Sequence, residues 1–270
     1  DISCVGRCSI TEALPILSAM GLETSILPTA VLSTHTGGFT GYTFRDLTED
    51  MPKIKEHWKS ENIRFSTIYT GYIGSVKQLD YIIDIINELS TDGCLVVVDP
   101  VMGDQGHYYA GFSDDFATQM RRFCSVADVI LPNLTEASFL VGEEYIESHH
   151  TKEYIERVIR KLAALGAKNV VITGVTFDDQ SLGVATYESS TNSVNYYFND
   201  RVEGSFHGTG DLFASAFTGA MALGRNLGDA ARIAVDYTLA CIKATNPASD
   251  RRYGVDFENA IPYLLKRLTE

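Results

Sequence analysis

The sequence predicts an α/β fold: a mostly parallel central sheet, helices on both of its faces, and an antiparallel hairpin at one edge. Three observations carry this. Short runs rich in β-branched residues alternate with amphipathic helical segments up to about residue 180. The runs 94–100, 127–133 and 169–174 are almost uninterrupted apolar stretches, as strands buried on both faces are. Beyond them, L-G-V-A-T-Y-E-S and S-V-N-Y-Y-F-N-D, split by S-T-N, read as two antiparallel strands.

The elements follow in order. Residues 1–9 run straight into a helix as a strand-to-helix loop would, so the first strand is expected upstream of residue 1. Ser9-Ile-Thr-Glu12 has the spacing of a capping box and opens a helix that ends near Gly21. Residues 23–28 read as a strand. Ser75-Val-Lys-Gln78 is a second capping box, leading a helix with Val76, Leu79, Ile83, Ile86 and Leu89 at helical spacing. Residues 151–166 form a plain amphipathic helix between two of the buried strands. Three helices close the chain at about 210–223, 229–245 and 256–268. No linker, repeat or low-complexity segment interrupts the pattern, so residues 1–270 read as one domain.

Composition narrows the function. The 45% hydrophobic and 21% charged fractions are those of an ordinary globular protein. A net charge of −13 opposes binding to a polyphosphate backbone and excludes nucleic acid as a partner. A small phosphorylated ligand stays compatible, because local amides and a metal can neutralise it. The five cysteines (Cys4, Cys8, Cys94, Cys124, Cys241) are scattered, odd in number and without a C-x-x-C pair, which fits reduced thiols in a cytoplasmic protein. No apolar run reaches the roughly 18 residues of a membrane span, so no membrane role is expected.

Ligands on such sheets bind beyond the carboxyl ends of the strands. The segments expected there are 1–6, 33–38, 70–74, 99–104, 132–136, 173–174 and 208–211, all polar or glycine-rich. They would collect Asp99, Asp104, Glu136 and Asp211 on one rim, where four carboxylates must hold cations or share protons. The turn G-T-G-D at 208–211 reads in two ways. It is a glycine hinge with Asp211 as helix cap, or it bares amides for an anion while Asp211 accepts a proton. D-P-V-M-G-D at 99–104 is a turn with solvated acids or the oxygen ligands of a hard cation. Asn133 and Glu136 in P-N-L-T-E start a helix with a dipole-favoured acid or serve a ligand. His35 is a hydrogen-bonded structural histidine or a site residue, and Tyr72 packs or stacks on a planar ring. Cys4 and Cys8 make a poor metal pair. No Walker loop, G-x-G-x-x-G after a strand, G-x-S-x-G or H-E-x-x-H is present.

Taken together, G-T-G-D-L-F-A-S-A-F, D-P-V-M-G-D, P-N-L-T-E-A-S-F-L-V-G, V-V-I-T-G and S-T-H-T-G-G resemble the ribokinase-like superfamily. More closely, they resemble its pyridoxal (pyridoxine, pyridoxamine) kinase branch. The resemblance implies a three-layer α/β/α sandwich, ATP as phosphoryl donor and the 5′-phosphate of a vitamin B6 form as product. It implies that Asp211 deprotonates the 5′-hydroxymethyl group, with Gly208, Thr209 and Gly210 as anion hole. Asp99, Asn133, Glu136, Thr173 and Gly174 resemble positions for ATP phosphates and cations, and Val202 and Phe206 those lining the adenine site. Mg²⁺ would be held by Asp104 or Glu136, directly or through water, and a monovalent cation is admitted beside it. Thr36 and Tyr72 resemble residues on the pyridine ring, and the family implies a homodimer. Two positions depart from the family. Asp1 and Ile2 stand where many members carry serine-histidine, which would let Asp1 pair with a ring nitrogen or a ligand amine. His207 stands where several relatives have an apolar residue or a cysteine. Hydroxymethylpyrimidine kinase is the nearest alternative, but it shows a Gly-Gly-Ala-Gly loop where this chain has C-V-G-R-C-S. A sugar or nucleoside kinase would bring an inserted lid, and a non-catalytic vitamin-binding protein has no use for the base.

Overall fold

The computed structural model describes residues 1–204 and 206–270. They divide into two units, Asp1–Met51 with Val202–Glu270, and Pro52–Arg201. In the first unit, β1 (Ile2–Ser3), α1 (Ile10–Ala19), β2 (Ala30–Leu32) and β3 (Phe44–Asp46) come first. β1 pairs parallel with β2, and β3 adds antiparallel to its other side. The two-residue strand β1 lies ahead of the loop that enters α1.

Two expectations in this region do not hold. Residues 23–28 form no strand; the strand falls at Ala30–Leu32, whose outer residues are buried, whereas Glu23, Ser25 and Ile26 face solvent. The alternation there has no partner to pair with, and Pro28 lacks the N–H a ladder needs. Ser9 and Glu12 form no capping box: the Ser9 side chain makes no bond to its helix, and its backbone takes φ 56°, ψ −133°.

The second unit begins along α2 (Met51–Ser60) and continues through β4 (Phe65–Thr70), α3 (Val76–Leu89), β5 (Ser90–Val98), β6 (Gly103–Asp104), β7 (His107–Tyr108) and α4 (Asp114–Cys124). It is completed by β8 (Val129–Ile130), α5 (Leu134–Val141), α6 (Lys152–Ala163), β9 (Asn169–Val175), β10 (Ser181–Glu188) and β11 (Ser193–Asp200). Its six-stranded sheet runs β11-β10-β9-β8-β5-β4, with β4, β5, β8 and β9 parallel and the β10–β11 hairpin antiparallel at the edge. The mostly parallel sheet with an edge hairpin is the one the sequence pattern requires. Val96, Val97, Val98, Val129, Ile130, Val170, Val171 and Ile172 are all buried, so the middle strands read as continuous apolar runs because both faces are covered. The Ser75 box is half made. Its hydroxyl accepts the Gln78 N–H, but Gln78 Oε1 accepts from Gly74 instead of closing on Ser75.

The chain then returns to the first unit with α7 (Thr209–Ala222), α8 (Leu227–Ala244) and α9 (Ile261–Thr269), the last preceded by 3₁₀ turns at Arg251–Tyr253 and Phe257–Ala260. From Leu212 to Ala220 every residue of α7 is buried. Small residues permit this. A Cβ on Gly219 would lie 2.4 Å from the Met20 sulfur, so α1 and α7 touch at close range.

A similar close approach fixes the hairpin. A Cβ on Gly183 would lie 1.9 Å from the Tyr197 carbonyl oxygen and 2.8 Å from Phe198 Cα, both backbone atoms of β11. Gly183→Ala is expected to destabilise the protein by about 1–3 kcal/mol, the usual cost of overpacking. Thermal unfolding checks this, and an unchanged midpoint would mean that the strands part there without cost.

Candidate active site

In the first unit the head of α7 is built from Gly208, Thr209, Gly210 and Asp211. Gly208 is the residue before the helix, at φ 83°. Only glycine fits, because a Cβ there would meet the Arg7 carbonyl at 2.6 Å and the Glu12 carboxyl at 2.8 Å. The first amides of a helix have no partner inside it, and no side chain caps these. They form a cluster of donors at the positive end of the helix.

Asp211 does not cap that helix. Its Oδ2 accepts the Ser9 backbone N–H at 2.8 Å and the Cys8 thiol at 3.4 Å. Oδ1 has no hydrogen-bond partner among the described residues. Asp1 stands one link away: its Oδ1 accepts the Ser9 hydroxyl at 2.7 Å and its Oδ2 the Ser3 hydroxyl at 3.3 Å. Burial first, and then the Asp211 charge, push the Cys8 thiol well above its ordinary value. Cys8 therefore stays S–H and serves as a donor, not a nucleophile.

Glu12, on α1, is fully buried, and neither carboxyl oxygen has a hydrogen-bond partner among the described residues. Burial raises its pKa well above the carboxylate range; the Asp211 and Glu258 charges add to this, and Arg7 opposes it. The side chain is held neutral against the back of the Gly208 turn.

The loop 33–38 leads toward the same unit's C-terminal segment. His35 is buried; its Nδ1 accepts the Gly37 N–H, so the other ring nitrogen donates to the Arg252 carbonyl. It is a structural clamp. Thr36, beside it, is exposed. The His207 ring lies 5.6 Å from that of His35 and packs so closely on Gly37 that a Cβ there would meet it at 2.9 Å. Phe206 is covered by the Arg251 guanidinium at 5.1 Å, and Val202 is half-buried.

The second unit holds the other predicted residues. Asp99 follows β5 and is buried, its N–H bonded to the Thr70 carbonyl. Asn133, beyond the end of β8, pairs as a parallel bridge with Thr173 in β9. Asn133 also donates to the Gly103 carbonyl, tying the β6 turn to the head of α5. Glu136 completes a full capping box with Asn133, its two oxygens accepting the Met102 and Asn133 N–H groups. Burial pushes its pKa above the carboxylate range against the pull of these donors. The exposed acid of the group is Asp104, whose Oδ1 holds the Gln105 N–H. Gly174, at φ 78°, is exposed. Tyr72 meets Phe112 edge-on at 5.5 Å. Among the described residues, no three His, Cys, Asp or Glu side chains gather into a metal cage.

Each unit thus gathers its own share of the predicted residues. Sequence reasoning missed Ser9 and Glu12 as neighbours of this chemistry, because their S-x-x-E spacing reads as a helix cap. Nothing in the local pattern of a serine and a glutamate near residue 10 points to a G-x-G-D turn some 200 residues away.

A model of the phosphomethylpyrimidine kinase family matches residues 14–255, running through both units. A Bacteroides thetaiotaomicron protein described as a phosphomethylpyrimidine kinase, in a crystal form with pyridoxal, superposes with TM-score 0.92. It is 38% identical, over 98% of this chain and 93% of that one. The pyridoxal kinase of Lactobacillus plantarum gives TM-score 0.90 at 34% identity, over 98% and 94%. A pyridoxine/pyridoxal/pyridoxamine kinase of Bordetella avium is 29% identical, over 90% of this chain and 83% of its own. The parallel sheet, its edge hairpin and the G-T-G-D helix head are those of the ribokinase-like kinases. Within that class, the chain belongs to the phosphomethylpyrimidine kinase family.

Glu12 supplies a stability test. It binds its proton more tightly folded than unfolded, so stability falls as pH rises from the ordinary carboxylate value toward the raised one. Glu12→Gln removes that ionisation. Its thermal midpoint, relative to the parent, is expected to improve progressively as pH rises above the ordinary carboxylate value. A difference independent of pH would mean that Glu12 is already charged in the fold.

Proposed function

We propose that this chain is an ATP-dependent kinase that phosphorylates the 5′-hydroxymethyl group of a vitamin B6 form. The observation that carries the reading is the state of Asp211. It sits at the head of α7 without capping it, one oxygen held by Ser9 and Cys8 and the other left available. A carboxylate so placed is a base for an alcohol, and the uncapped amides beside it suit the charge on a transferring phosphoryl group. The kinase family supports ATP as donor, and pyridoxal kinases among the relatives support the vitamin as acceptor.

In this reading Asp211 takes the hydroxyl proton as the substrate oxygen attacks the γ-phosphorus, the bond from the γ-phosphorus to the bridging oxygen breaks, and ADP leaves. The amides at Gly208, Thr209 and Gly210 stabilise the equatorial oxygens. Asp99, Asn133, Thr173 and Gly174 serve the ATP phosphates, and Val202 and Phe206 the adenine. Mg²⁺ takes one or two carboxylates and otherwise phosphate oxygens and water, which fits a single exposed acid. Asp104 would hold it, with Glu136 reaching it only through water, since both Glu136 oxygens are committed to backbone donors. When bound, the metal neutralises phosphate charge. Thr36 and Tyr72 are assigned to the pyridine ring. A cytoplasmic homodimer completes the reading, its assembly measurable by sedimentation.

Incubation with ATP, Mg²⁺ and each of pyridoxal, pyridoxamine, pyridoxine and hydroxymethylpyrimidine should give a phosphorylated B6 form as the main product. Turnover of hydroxymethylpyrimidine alone would overturn the acceptor assignment. Asp211→Asn is expected to lower kcat by about 10²-fold or more while ATP still binds. Full activity in that variant would return Asp211 to a structural role.

A further inference from the structure

Ser9 holds a backbone conformation that an L-residue rarely adopts, φ 56° with ψ −133°. Glycine enters that region freely, whereas other residues stay there only when the surroundings force them, and such strain gathers at functional positions. Here the forces are visible. The Ser9 N–H donates to Asp211 Oδ2 at 2.8 Å, and its hydroxyl donates to Asp1 Oδ1 at 2.7 Å. Asp1 is braced in turn by the Ser3 hydroxyl on its other oxygen. A relaxed Ser9 would turn its amide away from Asp211.

We propose that Ser9 is a positioning residue for the base, locked by Asp1, and that it decides which oxygen of Asp211 does the chemistry. This rests on the reading of Asp211 as the base. Oδ2 is occupied by the Ser9 amide and the Cys8 thiol, so Oδ1 is the oxygen that meets the acceptor hydroxyl. Asp1, the residue first expected to bind the vitamin ring, acts as a strut inside the protein.

The test compares Ser9→Ala, Ser9→Gly, Asp1→Ala and the Ser9→Ala/Asp1→Ala pair, with Asp211→Asn as reference. Circular dichroism and ATP binding monitor folding. Ser9→Ala loses the bond to Asp1 and keeps the unfavourable backbone. It should lower kcat about tenfold with KM for ATP within about twofold, as misplacement of a reacting group does. Ser9→Gly keeps the amide and accepts the conformation, so it should recover most of that loss. Asp1→Ala should reproduce the Ser9→Ala defect and add little to it, since the two act through one bond. Where Ser9→Ala does not fold, the Asp1→Ala and Ser9→Gly comparison carries the test. Parental kcat in Ser9→Ala beside an inactive Asp211→Asn overturns this inference alone. An additive loss in the pair also overturns it, because Asp1 would then act on the acceptor itself. A fully active Asp211→Asn removes the base reading and this inference with it.

Discussion

One hydrogen bond joins residues 202 positions apart: the Ser9 amide to the Asp211 carboxylate. Much of the first unit can be understood as what it takes to hold that bond. α7 is buried along most of its length, so its head cannot slide. The Arg7 carbonyl and the Glu12 carboxyl fill the space behind Gly208, which therefore has no room for a side chain. Arg7 is fixed in turn by Asp256 and Glu258, and by the N–H it donates to the Tyr253 carbonyl. A carboxylate gripped through one oxygen keeps its direction and still has a second oxygen to offer.

Charge is handled locally. The chain as a whole is strongly acidic, yet the turn suited to an anion lies at a helix start with uncapped amides. The nearest buried acid, Glu12, is kept neutral by its surroundings. Had Glu12 ionised beside Gly208, its charge would oppose the positive end of α7. A neutral carboxyl provides bulk there without cancelling the field.

The parallel sheet was legible because strands buried on both faces must be apolar throughout, as Val96–Val98 and Val170–Ile172 are. The segment 23–28 misled because alternation records only exposure, and here no neighbouring strand makes use of it. The G-T-G-D turn stood out by residue types alone, as a hinge with a cap or as a turn for an anion and a base. Its partners did not: Cys8, Ser9 and Glu12 meet it only in three dimensions, and the S-x-x-E spacing pointed to a cap that does not form. For Glu136 the local pattern is realised in the fold. A helix start with a dipole-favoured acid was one of its two open readings, and a complete capping box is what the fold builds.

The discontinuity of the first unit gives the protein an order of assembly. Pro52–Arg201 is one uninterrupted stretch whose sheet pairs mostly neighbouring strands, so it can form as soon as it leaves the ribosome. The segment Asp1–Met51 must wait, because its partners begin at Val202. Closing so long a loop is entropically unfavourable until the intervening chain has condensed and shortened the distance. Until then α1 keeps an apolar face with nothing to cover it, Ile16 and Leu17 included. During synthesis, exposure to proteases and chaperones is therefore concentrated on the segment Asp1–Met51, and it ends when α7 arrives.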